Sequence, residues 1–122
     1  MRDIKFRAWD GSRILRVYDL NCAGEESVLI DGQNVMTIAN DRLEFMQYTG
    51  LSDRNGVEIY EGDIVKGVFE DNHNIKISGA VSFWPKALNW AVAADTESGY
   101  FLASVVKLEI IGNIYENGDL LK

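Results

Sequence analysis

The sequence predicts a mainly β fold, with α+β as the alternative, and three observations carry that prediction. Valine and isoleucine together outnumber leucine 21 to 10, and β-branched side chains lose less freedom on a pleated sheet than in a helix. Apolar and polar residues alternate with period two in several segments, the pattern of half-buried strands. Eleven glycines against one proline point to many tight turns and few rigid linkers. The 122 residues suffice for a single compact unit overall. Within it we expect a small SH3-like or OB-like barrel over residues 57–122, with a β-rich N-terminal extension over residues 1–56. That extension looks too small for a core of its own, so it should pack on the barrel or on a neighbouring subunit.

In chain order, Ile4, Phe6 and Ala8 share one face of a first strand, and Lys5, Arg7 and Trp9 share the other. Asp10-Gly11-Ser12 turns the chain into Ile14–Tyr18 as a hairpin. Asp31-Gly32-Gln33-Asn34 divides Val28–Ile30 from Val35–Ile38. Asp53-Arg54-Asn55-Gly56 places Asn-Gly where a type I′ turn needs positive φ at both central residues, and it marks the best boundary in the chain. Gly62 permits a sharp reversal, and the adjacent Asp63 is suited to accept from backbone N–H groups. Val65–Phe69 then enters the barrel and Asp71–Asn74 forms a hairpin tip. In the returning strand Ile75, Ile77, Gly79, Val81 and Phe83 all face one way. Trp84-Pro85-Lys86 ends that ladder, because proline has no N–H to donate. Trp90–Ala94 and Leu108–Ile114 complete the set, with a loop at Asp95–Gly99 between them and room for one helical turn after Glu116. In the last strand Leu108, Ile110, Gly112 and Ile114 are expected on a single face.

Charge and cysteine content exclude several functions. Twelve Lys and Arg against nineteen Asp and Glu give a net charge of −7, and such a surface repels phosphate backbones in general. The single cysteine, Cys22, forbids an intrachain disulfide and a cysteine-based zinc site. The opening residues lack the apolar run of a signal peptide, and no apolar stretch approaches the ~20 residues of a spanning helix. We therefore expect a cytoplasmic protein without a membrane partner.

Candidate chemistry is sparse. A calcium loop fails on spacing, since Leu51 and Gly62 would occupy the first and last ligand positions. His73 is the sole histidine and sits between asparagines at the hairpin tip, where it can build neither a histidine metal site nor a triad. Glu25 and Glu26 close to Cys22 disfavour a thiolate. No Gly-rich phosphate loop of standard pattern occurs. The sequence thus points to no catalytic residue, no metal and no cofactor. What remains is charge asymmetry. Lys5, Arg7 and Trp9 offer a basic face, joined by Arg13 and Arg16 across the first hairpin, while Glu58, Tyr60, Glu61 and Asp63 lie in an acidic second half. Opposite charge makes these the candidate interaction residues, within a chain or between chains. Trp9 is the expected anchor, because a tryptophan on a charged face covers much area. A triad of carboxylates at Glu58, Glu61 and Asp63 would need a cleft that the sequence does not indicate.

Two stretches resemble the YopX family of phage and prophage proteins. One is Gln47-Tyr48-Thr49-Gly50-Leu51 with Asp53, Asn55-Gly56 and Glu58-Ile59-Tyr60-Glu61-Gly62-Asp63-Ile64-Val65. The other is Ile111-Gly112-Asn113-Ile114-Tyr115-Glu116-Asn117, and Ile4-Lys5-Phe6-Arg7-Ala8-Trp9-Asp10 is similar to the family's opening. Gly118 stands where the family usually has proline. The resemblance implies a phage-derived, self-associating protein and brings no catalytic residues with it. The expected function is therefore a non-enzymatic accessory protein that forms a homo-oligomer and binds a host or phage protein. A nucleic-acid-associated barrel, or an acidic mimic of DNA, is the alternative.

Overall fold

A computed structural model describes residues 5–19, 25–31, 33–93 and 99–117. Expectations for Ile4, Cys22, Gly32, Ala94, the 95–98 loop and the tail from Gly118 fall outside the described residues. The fold is mainly β, in two antiparallel sheets. The strands are β1 (Phe6–Trp9), β2 (Ile14–Asp19), β3 (Glu26–Asp31), β4 (Asn34–Ala39), β5 (Glu44–Ser52), β6 (Glu58–Tyr60), β7 (Asp63–Phe69), β8 (Asn72–Trp84), β9 (Asn89–Ala93), β10 (Gly99–Phe101) and β11 (Val105–Asn113). Short 3-10 turns at Asn40–Arg42 and Leu102–Ser104 are the only helical segments among the described residues. No helix there is long and apolar enough to cross a membrane. The chain divides into two compact units, Met1–Tyr48 and Thr49–Lys122.

In Met1–Tyr48 the strands run in the order β4-β3-β2-β1-β5. The expected first hairpin is present, with Arg7 opposite Arg16 and Trp9 opposite Ile14. On its other side β1 pairs with β5, placing Ala8 opposite Phe45. Ala8, Leu15, Leu29 and Leu43 form a buried cluster, with Val17, Met36, Ile38 and Phe45 packed against it. The segment expected to lack a core therefore has a small one. Short strands achieve it because alternate side chains from β1, β2 and β3 converge on the same face.

In Thr49–Lys122 five strands run in the order β10-β9-β8-β7-β11, and the four strands foreseen for this half all lie in that sheet. Their core joins Ile59 of β6 to Val65, Ile77, Val81, Trp90, Val92, Leu102, Val105 and Leu108. The alternation of β8 is real, but Ile75 and Phe83 at its ends remain 36% and 40% exposed. Phe83 is paired with Trp90 of β9 but lies beyond Ala80, where the pairing with β7 ends, and Ile75 falls in the register shift between Val68 and Phe69 of β7. The alternation expected for β11 is corrected. Its register with β7 shifts between Val106 and Glu109 and again between Ile110 and Gly112. The second shift exchanges faces, so Asn113 is buried and Ile114 is 38% exposed. β5 was not foreseen as a strand, because its polar residues and Gly50 hide the alternation.

Candidate functional site

The turn at Asp53 is built from its carboxylate outward. Oδ1 accepts the Asn55 N–H at 2.8 Å and the Val57 N–H at 3.0 Å. The Gly56 N–H closes the turn on the Asp53 carbonyl at 3.0 Å, and the Asp53 N–H donates to the Val57 carbonyl at 2.8 Å. Gly56 has φ +82°, as expected, but among the described residues only Leu88 and Lys107 are non-glycines with positive φ. Asn55 is therefore not left-handed, and the expected type I′ turn is replaced by a type I-like turn followed by a left-handed glycine. The extra residue leaves Asp53 free to turn inward. Its Oδ2 accepts the Ile110 N–H at 3.2 Å, and the Arg54 N–H donates to the Leu108 carbonyl at 2.7 Å. The turn is thus fastened to β11 beside its first register shift. Burial pushes the Asp53 carboxyl up. The N–H donors of Val57, Ile110 and Asn55 and the charge of Arg54 outweigh that, and hold it below its ordinary value.

Two further polar residues serve the backbone. Asp63 is 1% exposed, and its Oδ2 accepts the Tyr60 N–H at 2.8 Å across the turn that Gly62 makes at φ +88°. Asn113 is 8% exposed; its Oδ1 accepts the N–H groups of Tyr115 and Glu116 at 3.0 and 2.9 Å. Its Nδ2 donates to Glu116 Oε1 at 2.8 Å, while its own N–H donates to Asn117 Oδ1 at 3.2 Å. A Cβ on Gly112 would stand 2.6 Å from that same Asn117 oxygen, so a larger residue there would displace the Asn117 side chain.

The candidate interaction residues fall into distinct settings. Lys5 is exposed, with its ammonium 5.2 Å from the centroid of the Tyr48 ring, and the Tyr48 N–H donates to the Lys5 carbonyl at 2.8 Å. Arg7 and Trp9 on β1 are only partly exposed. Arg13 ion-pairs with Asp10 at 3.4 Å. In the other unit Glu58 and Tyr60 flank the buried Ile59 on β6, and Glu61 is partly buried. Asp63 is committed to its turn. Among the described residues no three His, Cys, Asp or Glu side chains converge to hold a metal ion.

Sequence reasoning missed the exposed apolar residues on both faces of the sheet around the β8–β9 turn. Phe83 and Trp90 meet edge to face at 5.2 Å, and Trp84 meets Phe101 at 6.4 Å. Phe83 is 40% exposed, Phe101 42% and Leu88 80%. Leu88 closes the turn through its N–H to the Pro85 carbonyl at 3.2 Å and adopts φ +50°. The legible signal is Trp84-Pro85, where the proline marks the end of the strand.

The family described as YopX protein matches residues 5–122. The chain belongs to the YopX family. The crystal structure of protein EF1440 from Enterococcus faecalis is similar, with TM-score 0.60 and 23% identity over all of both chains. The crystal structure of yopX from Bacillus subtilis gives TM-score 0.63 at 18% identity, over all of this chain and 98% of that one. At these identities the likeness shows the fold. No curated protein matches the chain. The YopX motif residues Asp53, Gly56, Gly62, Asp63, Gly112 and Asn113 are those that close turns and satisfy backbone N–H groups here. The resemblance was therefore carried largely by the scaffold.

Proposed function

We propose that this YopX-family chain is a non-enzymatic phage or prophage accessory protein that associates with itself and, as an assembly, binds a host or phage protein. The observation that carries the reading is Leu88. A leucine at φ +50° and 80% exposed bears backbone strain and leaves its side chain in water. Phe83 and Phe101 are part-exposed on opposite faces of the same sheet, and aromatic side chains of this kind concentrate binding energy where a partner covers them. Asp63 supports a non-catalytic role, because the carboxylate that would complete an acidic triad is buried and engaged.

The test is the mass of the full chain in solution by light scattering. Leu88→Gly removes the anchor while relieving the left-handed strain, so it should lower the assembled mass without loss of thermal stability. Trp9→Ala provides the comparison: a loss of assembly confined to that variant would move the interface to β1. A strictly monomeric wild-type protein at high concentration overturns self-association.

A further inference from the structure

The Thr49–Lys122 unit is acidic, with six basic and eleven acidic side chains. Yet four of the six cations, Arg54, Lys66, Lys76 and Lys107, line one open groove of about 440 Å³ on β7, β8 and β11. Their gathering is a product of the backbone. Lys107 stands at the first register shift of β11 with φ +56°, a conformation in which glycine would be free of strain. The shift needs Gly67 opposite, because a Cβ there would stand 2.7 Å from both the Val106 carbonyl oxygen and Val105 Cγ1. Arg54 is brought to the same place by its N–H bond to the Leu108 carbonyl and by the Asp53–Ile110 clamp. Lys66 and Lys76 come from the paired strands β7 and β8.

We propose that this groove binds a small phosphate ester, of the size of a nucleotide. A phosphate chain concentrates several negative charges in a small volume, which suits four converging cations better than a single carboxylate does. Ser78 adds a hydroxyl, and Val68 and Ile111 supply apolar lining for the organic part. The volume is that of a small-molecule site. Among the described residues the lining contains no aromatic ring, so they offer no stacking platform of the kind a single-strand binder uses. Glu109, paired with Lys66 at 3.4 Å, is the anion that a ligand would displace, and Asp53 lies beside Arg54.

The experiment is calorimetric titration of the full chain with ATP at low ionic strength. Lys107→Gly, which keeps the bulge and removes the charge, should weaken binding about tenfold, the loss of one charge-assisted hydrogen bond. Lys76→Gln should behave similarly. Glu109→Gln should tighten binding, a gain that general damage to the fold would not produce. Lys86→Gln, outside the groove, should leave the affinity unchanged. Three results would overturn the proposal: no heat of binding for ATP, equal weakening by Lys86→Gln, or tighter binding of an oligothymidylate or polyglutamate than of ATP.

Discussion

The turns at Asp10 and Asp53 use the same local chemistry and reach different structural weight. In each an aspartate Oδ1 accepts two following N–H groups, those of Ser12 and Arg13 at 2.8 and 2.9 Å in one and of Asn55 and Val57 in the other. Each turn contains a left-handed glycine, Gly11 at φ +103° and Gly56 at φ +82°. They differ in the second carboxylate oxygen. Oδ2 of Asp10 meets Arg13 of its own turn at 3.4 Å, whereas Oδ2 of Asp53 reaches Ile110, 57 residues away. A local cap fixes the shape of a turn, and a cap with one oxygen to spare also fixes where that turn sits.

The largest effect is therefore expected from Asp53→Ala. It removes the acceptor of the exposed Asn55 and Val57 N–H groups and of the part-buried Ile110 N–H, and should destabilise the protein by about 2–3 kcal/mol, a lost cap plus about 1–3 for a buried donor left without a partner. Urea denaturation measures it. A loss no greater than that of Asp10→Ala would show that the bond to Ile110 contributes nothing.

Gly56→Val comes next, at about 1–2 kcal/mol. A Cβ at Gly56 or at Gly11 meets nothing within 4 Å, so the penalty in both turns is backbone strain alone. Gly11→Val should consequently cost a comparable amount, although the effects of the two aspartates differ. If Gly56→Val is several-fold the costlier, the tether to β11 constrains the backbone of the turn as well as its position.

This contrast marks how far the sequence could be read. Gly56 and Gly62 were legible because a chain reversal demands positive φ there, and Asp63 because an Asp after such a glycine naturally caps. Four of the five strands of the second sheet were legible from β-branched runs and alternation, whereas the short β10 was not. The Asp53–Ile110 bond was not, since no local pattern reveals a partner so distant. The Lys107 bulge was hidden too, because a lysine gives no sign of left-handed backbone; only Gly67 opposite it, visible as a glycine inside a strand, hinted at a close approach. The groove and the Leu88 corner both depend on such non-glycine residues at positive φ, so the candidate sites were harder to foresee than the fold.

Asp10→Ala should cost about 0.5–1 kcal/mol, the range of an exposed cap. Its ion pair with Arg13 adds little, because the Arg13 side chain is 46% exposed. Hydrogen exchange at Ser12 and Arg13 should quicken locally while the amides of β7 and β8 keep their protection. Loss of protection across the second sheet would show that this turn, too, acts at a distance.

The smallest effect sharpens the comparison through pH. Burial raises the carboxyl of Asp53, and its N–H donors and Arg54 bring it below the ordinary 3.8. The carboxyl of Asp10 is also below 3.8, held there first by the N–H groups of Ser12 and Arg13. A carboxylate with a depressed folded pKa stabilises the protein fully above its unfolded pKa, and that stabilisation fades as pH falls through 3.8 towards the folded value. Stability should therefore be insensitive to these two groups near neutrality and decline below about pH 4. Asp53→Asn, less stable at neutral pH, should show a shallower acid decline, because the side chain no longer takes up a proton on unfolding. Asp10→Asn should flatten the same limb in the same direction. An acid limb unchanged in both variants, followed by urea midpoints from pH 6 to pH 2.5, would assign acid unfolding to other carboxylates and leave the two turns distinguished by geometry alone.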